Sequence, residues 1–365
     1  MIQAMLALES PAITRLVKKY LATGVRITLT LLACSVAARA EFAVSDSRPL
    51  TSLTLTAEIT VHNGTGEEIF GYVHRVAIPV AGHMQQQLIG IRHDRFDRFE
   101  RRFYRHHVDG NSGEPADQYA EMEWDIPAHS VSKKLLHFDL VVSAFDMEGD
   151  SAVVKGQSLR PLDKTVTTSS SDDIQHRFSP FLAPAEFIES DAAGIVRVAR
   201  DIQEKYPDPE AQLRAAFRFP QRHIKYQRQK TRGALYALNT RRGDCSEYAA
   251  LFVAIARAMG YPARLTSEFL FVKSRDFAQP NHHAAEVYLN QTWIPVDANL
   301  ALEPDLGYGF GSGRNAKVVL NRNGAWVWSN LWPRGVSQRQ GTVDVGMQWH
   351  IEVTEEGNDG GHPAR

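Results

Sequence analysis

The chain has 365 residues, of which 43% are hydrophobic and 23% charged, and its formal net charge is −1. That length exceeds the roughly 100–200 residues of one ordinary domain, so two folded units are expected. The composition belongs to a globular protein, and the near-neutral balance excludes a whole-chain attraction to nucleic acid or to an anionic membrane.

Lys18, Lys19 and Arg26 precede an apolar run from Ile27 to Ala37, and Ala38, Arg39 and Ala40 fit signal-peptidase cleavage before Glu41. The run falls short of the roughly 20 apolar residues a membrane span needs. Residues 1–40 are therefore expected to be an export signal, and the mature protein to be periplasmic or secreted. A lipoprotein signal ending at Cys34 ranks below this reading, because the apolar run before that cysteine is very short. Membrane attachment is expected only if the segment is retained or Cys34 is lipidated. The chain has 2 cysteines, Cys34 and Cys245. Cleavage leaves Cys245 alone, unable to form an internal disulfide, and a free thiol in an oxidising compartment is either buried as a small hydrophobe or used.

Residues 41–164 read as a β-rich N-terminal domain. Leu53, Leu55, Ala57, Ile59 and Val61 alternate with polar residues, His62, Asn63 and Gly64 make a turn, and Glu67 to Val80 continue as a second strand. Leu135 to Ser143 read as a late strand, and the whole fits an all-β, sandwich-like unit. Between Arg92 and Arg105, six arginines interleave with Phe96, Phe99, Phe103 and Tyr104. Such a pattern can mark a nucleic-acid surface, but Asp94, Asp97 and Glu100 point instead to a solvated face with local ion pairs and no nucleic-acid partner.

A polar stretch, 165–177, is expected to link this unit to a second one at 178–340, with 341–365 adding a C-terminal strand and a disordered tail. After Ser190 and Asp191, Ile195, Val198, Ala199 and Ile202 mark one face of a first helix. A second starts at Asp208, Pro209 and Glu210, and Pro220 should end or kink it. Ile224 to Tyr226 are short and apolar-edged, and Gly233 to Leu238 should wall the approach to Cys245.

Gly243 and Asp244 read as a turn and an N-cap, and Gly260 with Pro262 as a stop, which predicts a helix from about Cys245 to Met259. Ala249 to Ala256 leave no polar stripe, so this helix belongs inside a domain. Cys245 then sits at its mouth, where free N–H groups and the macrodipole favour a thiolate and an oxyanion formed beside it. Strands come next at Ala263 to Val272, Ala284 to Asn290 and Thr292 to Asp297, the last two joined at Asn290 and Gln291. Helices first and antiparallel strands after indicate an α+β domain. If the last two strands pair, a histidine at the start of one meets Asp297 at the end of the other. Imidazole can take the thiol proton and return it to a leaving group while the carboxylate fixes the tautomer. Strand parity puts His282 with Ala284 and Glu286, and His283 with Ala285 and Val287, which leaves the base open between His282 and His283. Zinc on Cys245, His282 and His283 is the rival use of these atoms, but no second cysteine accompanies them. No metal or cofactor is expected. The glycines of Gly307 to Gly313 lie in no strand-to-helix context, which speaks against a phosphate loop and for a mobile loop bordering the cleft.

Gly243 to Phe252, Ala256 to Arg264, His282 to Tyr288 and Trp293 to Asp297 together resemble the transglutaminase-like superfamily, over the stretch from Gly233 to Leu300. The resemblance implies a papain-like α+β core with a Cys–His–Asp triad, which carries over to Cys245, His282 and Asp297. The chain departs from the family at Ala284, where an aromatic residue two places after the histidine is usual. The family holds protein cross-linking enzymes, amide hydrolases, peptidases and members that have lost activity. The expected function is thus an exported thiol enzyme that hydrolyses or transfers an amide or peptide acyl group of a protein or peptide through a thioester at Cys245. The alternative is a catalytically idle binding module for a protein or envelope polymer.

Overall fold

Alternation carries through into the first long strand of the computed structural model: Leu53, Leu55, Ala57, Ile59 and Val61 are all buried. The structure describes residues 49–81, 83, 85–103, 117–143, 145–146, 178–290, 292–313, 317–323, 330–334 and 343–354. The export signal and the expected linker lie outside these residues. The N-terminal strands are β1 (Pro49–Asn63), β2 (Ile69–Ala77), β3 (Gln86–His93), β4 (Arg98–Phe103), β5 (Gln118–Ile126) and β6 (Ser130–Ser143). The strand read as Glu67 to Val80 is thus shorter, and the late strand starts five residues before Leu135. Helices α1 (Ala193–Lys205), α2 (Pro209–His223), α3 (Ala234–Thr240) and α4 (Cys245–Ala258) come after them. The chain then returns to strands β7 (Ala263–Leu270), β8 (Arg275–Phe277), β9 (His282–Leu289), β10 (Thr292–Val296), β11 (Lys317–Asn323), β12 (Asn330–Arg334) and β13 (Val343–Thr354).

One sheet runs β8-β13-β1-β6-β3, a second β12-β2-β5-β4, and a third β10-β9-β7-β11. The first two bury a common core that includes Leu55, Ile59, Met122, Phe138 and Trp349, and Phe269 and Phe277 of β7 and β8 enter the same core. Because β13 pairs with both β1 and β8, the strands at either end of the sequence and those of its helical half share one sheet. Residues Asp46–Arg365 accordingly form one compact unit. The arginine-rich segment is held by local pairs: Arg92 with Asp139, Arg98 with Glu123, and Arg102 with Glu100 and Glu121.

The other core is built on α4, which packs its apolar sides against α1, α2, α3 and the face of the third sheet that carries Leu265, Ala285 and Val287. Pro220 does not end α2, which runs three residues further to His223. Proline removes the N–H that would reach Ala216, but its ring is buried and its own carbonyl accepts the Ile224 N–H at 2.9 Å, so the last turn still closes. Among the described residues, no helix is long and apolar enough to cross a membrane.

Candidate active site

The start of α4 is fixed before any chemistry is considered. Asp244 caps it, accepting from the Ser246 N–H at 3.0 Å, and Glu247 reciprocates by accepting from the Asp244 N–H at 3.0 Å. This capping box satisfies orphan donors at the helix mouth. Glu247 is fully buried and also takes the N–H groups of Arg232 (2.7 Å) and Gly233 (3.3 Å), which ties the start of α3 to the start of α4. Gly243 is required here, since a Cβ on it would collide with the Glu247 side chain. Cys245 comes next, part exposed, and its own N–H makes no hydrogen bond among the described residues. The short pairing of Lys225 and Tyr226 with Arg242 and Gly243 lies immediately before it.

The partners arrive from the hairpin of β9 and β10. Ala285 pairs with Val296 and Leu289 with Thr292, and Asn290 takes a left-handed φ of 55° at the turn, a conformation asparagine tolerates well. This register brings the first residue of β9 beside the residue after β10: His282 Nε2 lies 2.7 Å from Asp297 Oδ2, and both side chains are 4% exposed. His282 also hydrogen-bonds the Cys245 side chain. With Nε2 engaged by the carboxylate, Nδ1 is the nitrogen left for the thiol. Cys245, His282 and Asp297 therefore form one continuous chain of contacts. His283 is turned away, with Nδ1 3.2 Å from Ser267 Oγ and 3.3 Å from the Thr266 carbonyl. The set Cys245, His282 and His283 thus does not converge on a zinc position.

Burial disfavours the charged form of His282, but the Asp297 carboxylate and the neighbouring Cys245 outweigh it and raise its pKa from 6.5 to about 10. Burial pushes Asp297 the other way from His282's pull, and the imidazolium wins, aided by Lys317, so its pKa is lowered. For His283, burial and then the charge on His282 outweigh the Thr266 carbonyl and the Glu268 and Asp244 charges and lower its pKa to about 4. One histidine is built to carry a proton and the next to stay neutral.

Several residues around this chain carried no signal in the sequence. Glu268 pairs across from His282 in the register of β7 with β9, and its Oε1 accepts from Lys317 Nζ at 2.9 Å and from the Thr266 hydroxyl at 2.7 Å. Glu268, His282 and Asp297 each offer one atom within 4.8 Å of the others, the arrangement a cation would need. The Lys317 ammonium already supplies the positive charge there. Tyr226 is 56% exposed and pairs with Gly243, two residues before Cys245, and its phenol pKa is raised by burial and by the Cys245 and Asp244 charges. The glycine loop does border the dyad, but its backbone is tied down: Gly309 O accepts from Asp297 N–H at 3.0 Å, and Gly311 N–H donates to Pro295 O at 2.9 Å.

Residues 196–298 match the family model described as the transglutaminase-like superfamily. The chain carries a transglutaminase-like domain. Its matched span opens in α1 and closes one residue past Asp297, so it contains α4 and the β9–β10 hairpin. Among solved structures, a candidate cysteine protease from Cytophaga hutchinsonii is 13% identical, with a TM-score of 0.46, covering 85% of this chain and 99% of that one. The periplasmic domain of TgpA from Pseudomonas aeruginosa is 12% identical, with a TM-score of 0.29, covering 69% and 91%. A candidate protease from Parabacteroides distasonis is 10% identical, with a TM-score of 0.26, covering 73% and 64%. The assignment of the transglutaminase-like domain rests on the family match and not on these likenesses. No curated protein matches the sequence.

Proposed function

We infer that the transglutaminase-like domain is a thiol enzyme that acts on an amide or peptide bond through a thioester at Cys245. The observation that carries this reading is the unbroken contact chain from Cys245 through His282 to Asp297 at the mouth of a buried helix. Sγ attacks the substrate carbonyl as a thiolate whose proton already rests on His282 Nδ1, while Asp297 on Nε2 holds the ring's orientation and stabilises the imidazolium. The carbonyl oxygen, now an oxyanion, meets the Cys245 N–H and the positive end of α4. Tyr226, exposed near the start of α4, is our candidate for a second donor. His282 then gives its proton to the departing amine, and the C–N bond breaks to leave an acyl-thioester. In the second half His282 takes a proton from water or from an incoming primary amine, which attacks the thioester and regenerates the thiol. Water gives hydrolysis and an amine gives transamidation.

The alanine, arginine and alanine at 38–40 after the apolar run support an exported site of action, in the periplasm or outside the cell. N-terminal sequencing of the mature protein from cells should begin at Glu41. The reaction is tested by offering the purified protein glutamine-containing peptides with and without a primary amine and tracking intact mass. Exchange of ammonia for water on glutamine, or chain cleavage, identifies hydrolysis, and exchange of ammonia for the amine identifies transfer. Unchanged peptides in both arms would return the domain to the reading of a non-catalytic binding module.

A further inference from the structure

The glycine loop that anchors Asp297 has a second side. There it faces α2 across a cavity of about 230 Å³ lined by Arg214, Phe217, Arg218, Ala301 and the loop residues Tyr308 to Phe310 with Ser312. The volume lies below the 300–1,000 Å³ of pockets that enclose a whole drug-sized ligand, and suits a single side chain or chain end. Its polar groups are mostly donors. Arg214 and Arg218 are one helical turn apart and face the same way. Arg214 is pinned: its Nε donates to Glu210 at 2.8 Å, and its guanidinium carbon lies 4.9 Å from the Phe310 ring centroid. Arg218 is exposed and forms no ion pair among the described residues. No acidic side chain lines the cavity. One guanidinium is thus neutralised and held as a wall, and the next is left with its fork of donors facing an apolar-backed recess beside the Ser312 hydroxyl. That is the composition that recognises a planar anion.

The cavity and the catalytic chain share a wall. Gly309 O accepts the Asp297 N–H, Phe310 bridges to Val296, and the Tyr308 ring centroid lies 5.6 Å from the Lys317 ammonium that pairs with Glu268 beside the dyad. We propose that this cavity is a subsite for one carboxylate of the substrate, held by the Arg218 guanidinium and the Ser312 hydroxyl. The proposal rests on the acyl-transfer reading above for its choice of ligand, since carboxylates are the anions a protein or peptide substrate carries. An acidic side chain and a chain terminus present the same group, and the cavity has room for either.

The test uses binding alone, in the full chain with Cys245→Ala so that no turnover intervenes. Protein-observed NMR monitors the Arg218 side-chain Nε–H and the Ser312 amide while three probes are added: N-acetylalanine, which offers a terminal carboxylate; N-acetylglutamate α-amide, which offers a side-chain carboxylate; and N-acetylalanine amide, which offers none. One or both acids should shift these resonances, and the better binder names the source. The neutral amide should not. Arg218→Gln, a change at an exposed position, should weaken binding about tenfold or more, the loss of one charge-assisted bond. Arg218→Lys, which keeps the charge but loses the fork, should fall between. Equal response to the neutral probe, no response to either acid, or binding unaffected by Arg218→Gln would overturn the proposal. Because the readout needs no thiol, carboxylate binding that persists in a protein whose peptides stay unchanged sinks the enzyme and spares the subsite. Turnover without Arg218-dependent binding does the reverse.

Discussion

Replacing Asp297 by Asn removes the charge and one of two acceptors: the amide oxygen can stay where Oδ2 now stands 2.7 Å from His282 Nε2, while the NH2 then replaces the Oδ1 that accepts the Leu300 N–H at 2.9 Å. In the native site burial works against the imidazolium, yet its pKa stands at about 10 against an ordinary 6.5. That gap corresponds to on the order of 5 kcal/mol of differential stabilisation, at about 1.4 kcal/mol per unit. Both side chains are 4% exposed, so solvent screens little of it. Asp297 supplies the leading favourable contribution and Cys245 the rest. With the carboxylate gone, burial should prevail and the His282 pKa should fall below 6.5. Long-range ¹H–¹⁵N correlation spectra of the ring, recorded between pH 5 and pH 9, read this directly. The native ring should remain an imidazolium across the range, whereas in Asp297→Asn it should be neutral at pH 7. Turnover, once a substrate is in hand, should drop by about 10²–10⁴, the usual worth of a positioned acid–base group. If native His282 titrates near 6.5, or the variant ring is still charged at pH 8, the electrostatic account of the dyad is wrong.

Cys245 is part exposed, so iodoacetamide should modify it in the folded protein, with Cys245→Ser as the unreactive control; reaction only in denaturant would mark it as a packing residue. His283→Ala should keep the iodoacetamide reaction of Cys245 and any turnover, and His282→Ala should lose turnover; the opposite result would mean that the wrong histidine has been paired with the thiol. Glu247→Ala leaves three backbone N–H groups without their acceptor at the join of α3 and α4, at about 1–3 kcal/mol each when buried, so chemical denaturation should show a loss of at least about 3 kcal/mol, and an unchanged midpoint would refute the role given to the capping box. The dyad also links stability to pH from both sides. His282 has a raised pKa, so its contribution is full below 6.5 and is lost as pH climbs through about 10; Asp297 has a lowered one, so its contribution is full above the ordinary carboxylate range and is lost on acidification. Thermal melts of the native protein should therefore fall off at both ends more steeply than those of a His282→Ala, Asp297→Ala double variant, and parallel curves would count against the linkage.

The features legible in the sequence were local ones. Asp244, Gly260 and Pro262 bound α4 through capping and backbone geometry that neighbouring residues dictate, and the structure ends the helix at Ala258, one residue short of the expected Met259. The tight connection at Asn290 set the β9–β10 register, and register alone delivers Asp297 to His282. Parity did not choose between the histidines. His283 shares the parity of Ala285 and Val287, which join the α4 core, yet the thiol is met by His282. Glu268 and Lys317 were invisible because their place beside the dyad depends on β7 flanking β9 and on β11 flanking β7, a non-local fact. That α2 does not end at Pro220 has a different cause: propensity weighs the missing N–H but not the burial of the ring inside the helix.

The return of β13 to the first sheet has a consequence for the order of events during synthesis. Asn63, at the end of β1, finds its neighbour in Val343 only after most of the chain has left the ribosome. Until then β1 can pair with β6, but its opposite edge presents unpaired backbone flanked by alternating apolar residues, the kind of surface that recruits other chains. β8 waits for the same strand, so the segment leading into β9 is also unanchored in a nascent chain. Contacts so distant in sequence form slowly. A chain halted or clipped before Val343 would therefore hold every residue of the catalytic contact chain and still lack the strand that joins the two ends of the molecule, and we expect such products to aggregate rather than to persist as a small active core.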